Sequence, residues 1–126
     1  MKLNLKLLDG SFSIHRLFPK NEIPIQIYQG QFFSITKTDE EISVVCSSSV
    51  HLDSESSETD WSCIKVLGPL DFSLTGILAD ISAVLAKAEI SIFAISTFDT
   101  DYILVKSEKL PESKKALQNA GYIFKN

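Results

Sequence analysis

Arginine is almost absent from this chain. Among 12 basic residues there is one, Arg16, and the formal net charge is −4. Clustered Lys and Arg that could neutralise phosphates are missing, which argues against a nucleic-acid partner. Cysteine is scarce too: Cys46 and Cys63 have no zinc-ligand spacing and cannot make a disulfide framework, so both read as reduced strand residues. No apolar run approaches the roughly 20 residues of a membrane span, so no membrane partner is expected. The N-terminus alternates apolar and polar residues from Leu3 to Leu8, a strand pattern rather than a signal peptide. The expectation is a soluble, cytoplasmic protein. Chemical signatures are lacking as well. There is no Gly-x-Ser-x-Gly, no phosphate-binding glycine loop and no His-x-x-x-His pair. His15 and His51 are isolated, and His15 is expected to face the surface of a strand. Nothing places Cys46 or Cys63 beside a histidine in a positive environment. No enzyme, metal site or cofactor is therefore expected.

What is present is a pattern of short elements in 126 residues, 44% of them hydrophobic. That length suits one compact domain or two small ones sharing a core. Residues 62–67 read as a strand closed by Gly68-Pro69. Over residues 73–88 the period becomes helical, with Ile77, Leu78, Ile81, Val84, Leu85 and Ala88 on one face and Ser73 as the N-cap candidate. Residues 90–98 form a β-branched and aromatic strand, and 101–106 return as another. Pro111 opens a second helix, with Ala116, Leu117 and Ala120 inward and Gly121 at its end. Residues 122–124 make a last strand. The order strand, helix, strand, strand, helix, strand predicts an α+β fold: a ferredoxin-like βαββαβ unit with helices on one face of an antiparallel sheet.

The first half echoes the second at an offset of 60 residues: Phe33/Phe93, Ile35/Ile95, Asp39/Asp99 and Val45/Val105 match, and Glu41 stands where Asp101 does. Phe12-Ser-Ile lies over Phe72-Ser-Leu, and Leu17-Phe18 over Ile77-Leu78. Two units are expected, a degenerate one over 1–60 and a well-formed one over 61–126. Pro19 and Pro24 forbid a long helix in the first, leaving room for a short one near residues 21–28. Residues 12–17 look like a strand paired with residues 3–8 across Asp9-Gly10. Residues 47–60, rich in serine and acid, read as an exposed loop.

Two stretches could hold a ligand. The loop Gly68-Pro-Leu-Asp-Phe-Ser-Leu-Thr-Gly76 leads into the main helix, whose free N–H groups suit a carboxylate. Gly76 would allow close approach of a ligand or of a neighbouring backbone. The plainer reading is an ordinary helix cap at Ser73. The turn Ser96-Thr-Phe-Asp-Thr-Asp101 gathers two carboxylates and three hydroxyls. It reads either as a polar hairpin or as an ammonium clamp with Asp101 or Asp99 as charge partner.

Leu70-Asp-Phe-Ser-Leu-Thr-Gly-Ile-Leu78, followed by Ala88-Glu-Ile-Ser-Ile-Phe-Ala-Ile-Ser-Thr-Phe-Asp-Thr-Asp-Tyr-Ile-Leu-Val105, resembles the ACT domain of the CASTOR-like type. It is similar also to aspartokinase regulatory ACT modules. The resemblance implies tandem ACT units, sheet-extended homodimers, and an amino acid bound between units. Carried onto this sequence, its ligand positions are Asp71, Phe72, Ser73, Leu74, Thr75 and Gly76, then Thr97, Phe98, Thr100 and Asp101. The first copy departs, with Lys37 for Thr97, Glu41 for Asp101 and no pre-helix glycine, so the same mode of binding is not expected there. Three functions compete: a regulatory sensor of an amino acid or similar small metabolite; an adaptor or structural protein acting through sheet-edge or dimer contacts with no small ligand; and an enzyme or nucleic-acid binder on the same topology, disfavoured by the missing constellations and the acidic charge.

Overall fold

The computed structural model describes residues 3–67 and 76–126, so Asp71, Phe72, Ser73, Leu74 and Thr75 lie outside the described residues. The fold is α+β, with mostly antiparallel strands and two α-helices. The strands are β1 (Asn4–Leu7), β2 (Phe12–Leu17), β3 (Ser34–Lys37), β4 (Ile42–Ser47), β5 (Ser56–Val66), β6 (Ile92–Ser96), β7 (Asp101–Lys106) and β8 (Ile123–Lys125). The helices are α1 (Ile77–Lys87) and α2 (Leu110–Asn119), and short 3₁₀ segments cover Ile25–Gln29 and Ser107–Lys109. The chain divides into a larger unit, residues 1–9 and 62–126, and a smaller one, residues 10–61.

In the larger unit the strand order is β6-β7-β5-β1-β8. The expected element order is present, with one addition. The N-terminal strand β1 lies antiparallel to β5, with Leu5 opposite Val66, and parallel to β8, with Asn4 opposite Ile123. The expected hairpin of β1 with β2 is not formed. Asp9 instead ends the first segment of the larger unit, Gly10 begins the smaller one, and β2 pairs with β4 and β5. The placement of Leu5 explains this, because its side chain is fully buried in the core of the larger unit. That core joins Leu5, Ile64, Val66, Ile103 and Val105 to Ile81 and Leu85 of α1 and Leu117 of α2. Each helix thus buries one apolar stripe on the same cluster, as its three-and-four spacing requires.

The two helices end alike. Ile90 N donates to Leu85 O and Glu89 N to Ala86 O, while Tyr122 N donates to Leu117 O and Gly121 N to Gln118 O. Both are Schellman ends with a left-handed residue at the turn, Glu89 at φ 62 and Gly121 at φ 101. α1 starts later than the periodicity suggested. Its N-cap is Gly76 at φ 83, with no side-chain cap, and Asp80 N donates to Gly76 O at 2.8 Å.

In the smaller unit β2 pairs with β4 over Phe12–Ser47 to Leu17–Ile42, β4 pairs with β3, and the first part of β5 pairs with β2. Its core is Leu17, Ile27, Ile42, Val44, Cys46 and Leu52. The 3₁₀ segment Ile25–Gln29 stands where a short helix was expected, held short by Pro24 at its start. The stretch expected as loop is half strand. β5 begins at Ser56, and its exposed polar residues are held by backbone pairing with β2. A register shift between Phe12 and Ile14, with Asp60 at φ 63, marks a bulge that re-aims the strand before its buried part begins at Trp61.

Candidate functional site

The turn between β6 and β7 forms because Thr97 can bond across it. Thr97 N donates to Thr100 O at 2.8 Å. The Thr97 hydroxyl donates to the same oxygen at 2.9 Å and accepts from Thr100 N at 3.2 Å. Threonine is suited to such closure because its short side chain mimics a backbone turn. Thr97 is therefore occupied by the turn itself.

Thr100 faces inward and is 4% exposed. Its hydroxyl donates to Val66 O at 2.5 Å, at the last residue of β5. That bond pins the turn to the strand end from which the chain runs toward α1. Thr100, an expected ligand contact, thus has its hydroxyl engaged as an anchor. Phe98, another expected contact, is 80% exposed, and Asp99 is exposed as well. Asp101 is half-buried at the start of β7, opposite Ser96. The Ser96 hydroxyl donates to Asp101 Oδ1 at 2.6 Å, which fixes the carboxylate. Charge-assisted bonds of this kind leave a carboxylate capacity for further donors, since it accepts at both oxygens.

Gly76, expected to allow close approach, stands at the start of α1. A Cβ there would meet nothing within 4 Å, so the glycine is required by its left-handed φ of 83 and not by crowding. The helix start carries Asp80 in its first turn, a favourable charge against the helix dipole. Asp80 accepts a hydrogen bond from the hydroxyl of Tyr122, tying α1 to the end of α2. Burial and this neighbouring carboxylate push the Tyr122 phenol well above its ordinary range.

The two cysteines and the first histidine settle differently. Cys46 and Cys63 are both buried, and burial pushes the Cys63 thiol up to about 12, which keeps it protonated and unreactive. His15 corrects the expectation of a surface position. It is 7% exposed, with Nδ1 bonded to the Ser54 hydroxyl at 2.9 Å. No metal-competent group of His, Cys, Asp and Glu occurs among the described residues. None of their helices is long and apolar enough to cross a membrane.

Residues 56–119, running from β5 through α2, match the ACT domain family. The chain belongs to that family. A second match, to an N-terminal domain family, covers residues 10–50, within the smaller unit. The human protein CASTOR3P is 34% identical over 94 residues, covering 64% of this chain and 58% of its own length. The chain thus spans little more than half of that relative. The crystal structure of protein Atu0741 from Agobacterium tumefaciens is similar throughout, with TM-score 0.91, 39% identity, and coverage of 99% of this chain and 93% of that one. The regulatory subunit of aspartate kinase from Thermus thermophilus shares the fold, with TM-score 0.66 at 11% identity, covering 96% of this chain and 99% of that one.

The ACT hairpin β6–β7 has a counterpart in the smaller unit. Thr38 N donates to Glu41 O at 2.8 Å, and the Thr38 hydroxyl accepts from Glu41 N and donates to Glu41 O. Lys37 pairs with Ile42 as Ser96 pairs with Asp101. The hairpins therefore superpose at an offset of 59, one less than the sequence match suggested. On that register Ile42, almost fully buried, takes the place of Asp101, and Glu41 takes the place of Thr100. The sequence match of Leu17-Phe18 with Ile77-Leu78 likewise fails, because Leu17 ends a strand and Ile77 begins a helix.

Proposed function

We propose that the chain is a regulatory ligand-sensing module, built from two ACT-like units in tandem, that binds an amino acid or similar small metabolite beside the start of α1. The observation that carries this is the fixed carboxylate of Asp101, held by Ser96 in a turn that Thr100 anchors to the end of β5. A ligand ammonium or guanidinium would meet Asp101. The helix-start loop, Asp71 to Gly76, would supply N–H groups for its carboxylate. Phe98 would cover the apolar part of the ligand. Family membership and the aspartate kinase regulatory fold support a regulatory role over catalysis. A homodimer would complete a site lying between ACT units, in a cytoplasmic setting.

The test is a thermal-shift screen of the whole chain against the twenty amino acids, with its mass in solution recorded. A ligand at 100 times its Kd adds about 2.7 kcal/mol and raises the melting temperature by several degrees. Asp101→Asn should remove the shift for a cationic ligand, a loss of about 1.5–3 kcal/mol in binding. An unchanged affinity in Asp101→Asn would refute the site. A second reading, an adaptor that binds a protein and no small ligand, is favoured by the apolar strand β6, which pairs only with β7 among the described strands. No response to any amino acid would favour it.

A further inference from the structure

The smaller unit contains a strap. Residues 48–55 leave β4 and cross back over β2 before β5 begins. Ser48 N donates to Ser11 O at 2.8 Å at one end, and Glu55 N donates to Arg16 O at 2.9 Å at the other. Between them the Ser48 hydroxyl bonds Ser13 at 2.9 Å, Leu52 enters the apolar cluster, and the Ser54 hydroxyl bonds His15 Nδ1 at 2.9 Å. His15 is directly opposite Val44 on β4 and Ser57 on β5. Its side chain shares the core face of β2 with Ser13 and Leu17, all three buried. Its other nitrogen, Nε2, is buried without any hydrogen-bond partner.

That arrangement accepts only a neutral ring. With Nδ1 engaged by Ser54, protonation would place an N–H and a positive charge at Nε2, where no acceptor waits. Nothing charged on the packed elements can compensate. On β4 the facing titratable group is Cys46, buried and kept protonated by that burial. On the strap, His51 and Asp53 are exposed, and Glu55 is committed to Arg16 at 2.6 Å. On β5, Glu58 pairs with Ile14 and so belongs to the opposite face. On β3, Lys37 is exposed and bonds Pro19 O at 2.7 Å, and the 3₁₀ segment contributes Tyr28, packed edge-on against Phe33.

We propose that His15 is an acid-sensitive latch: the neutral ring holds residues 48–55 on the face of the smaller unit through Ser54, and protonation of the ring releases them. Desolvation lowers the pKa of His15 below its ordinary 6.5. In the open form the ring is solvated and titrates near 6.5. Above that pH both forms are neutral and the latch is closed. As pH falls through 6.5 toward the lowered value, only the open form takes up a proton, so closure weakens by up to about tenfold per pH unit. Release would expose Leu52 and the cluster beneath it.

The experiment is amide hydrogen exchange of the whole chain at pH 7.5 and 5.5, corrected for intrinsic rates. Protection of residues 52–55 should fall about tenfold in the native protein. His15→Asn keeps a donor near Nδ1 but cannot titrate, and should show no pH-dependent loss. His51→Asn, which removes the only other histidine, should behave as the native protein. Equal loss in His15→Asn would overturn the proposal. Should His15→Asn fail to fold, imidazole NMR titration of the native chain decides: a value at or above 6.5 overturns the latch, and a lower one with loss of strap protection supports it.

Discussion

Residues 38–41 of the smaller unit and 97–100 of the larger close their hairpins with the same bonds around a threonine, yet the fourth residue is Glu41 in one and Thr100 in the other. Glu41 is exposed enough to pair with Arg16 at 3.4 Å. Thr100 turns inward and bonds the end of β5. One backbone device thus serves two ends. In the smaller unit the turn is a surface feature trimmed by charge. In the larger it becomes a fixed platform for Asp101, the next residue. The difference also reaches the strands behind the turns. Between β2 and β3 lie 16 residues with a 3₁₀ segment, and between β5 and β6 lie 25 that include α1. The shorter connection holds the 3₁₀ segment in place of a full helix.

Four substitutions probe that contrast, each read as a change in urea unfolding free energy. Thr100→Val keeps the shape but leaves Val66 O without its buried donor, and should cost about 1–3 kcal/mol. A cost below about 0.5 kcal/mol would show that the anchor contributes little. Thr97→Val and Thr38→Val remove the shared turn bonds and should cost similar amounts, about 1 kcal/mol each. A large disparity would break the equivalence of the two turns. Glu41→Gln loses only an exposed ion pair and should change stability by less than about 1 kcal/mol, declining further in high salt.

Where local chemistry decides, the sequence was readable. β2, β7 and α2 follow from alternation, from the Thr-rich turn, and from Pro111 and Gly121 flanking a helical period. α1 was recognised by its stripe, but its start was placed too early because Ser73 is a better capping residue than Gly76. Pairing over long separations was not readable. β1 looked like a hairpin partner of β2 because Asp9-Gly10 is a strong turn signal, whereas burial of Leu5 takes it to β5 and β8. His15 misled for another reason. Phe12 and Ile14 make one face of β2 apolar, and Leu17 makes the other so, which leaves alternation unable to say which side is inward. At the candidate site the polar turn was legible, but not the division of labour within it. Thr97 and Thr100 carry the hydrogen bonds of the turn, and the Asp101 carboxylate is held by Ser96.

The seating of β1 between β5 and β8 also has a consequence for how the chain is made. Asn4 is made long before Ile123, its partner on β8. At 5–20 residues per second, β1 waits about 6–25 s for that neighbour. Residues 10–61 have all their strands available well before then. The order of synthesis therefore favours the smaller unit first, while β1 can pair with β5 early and gains its second neighbour only once β8 has been made.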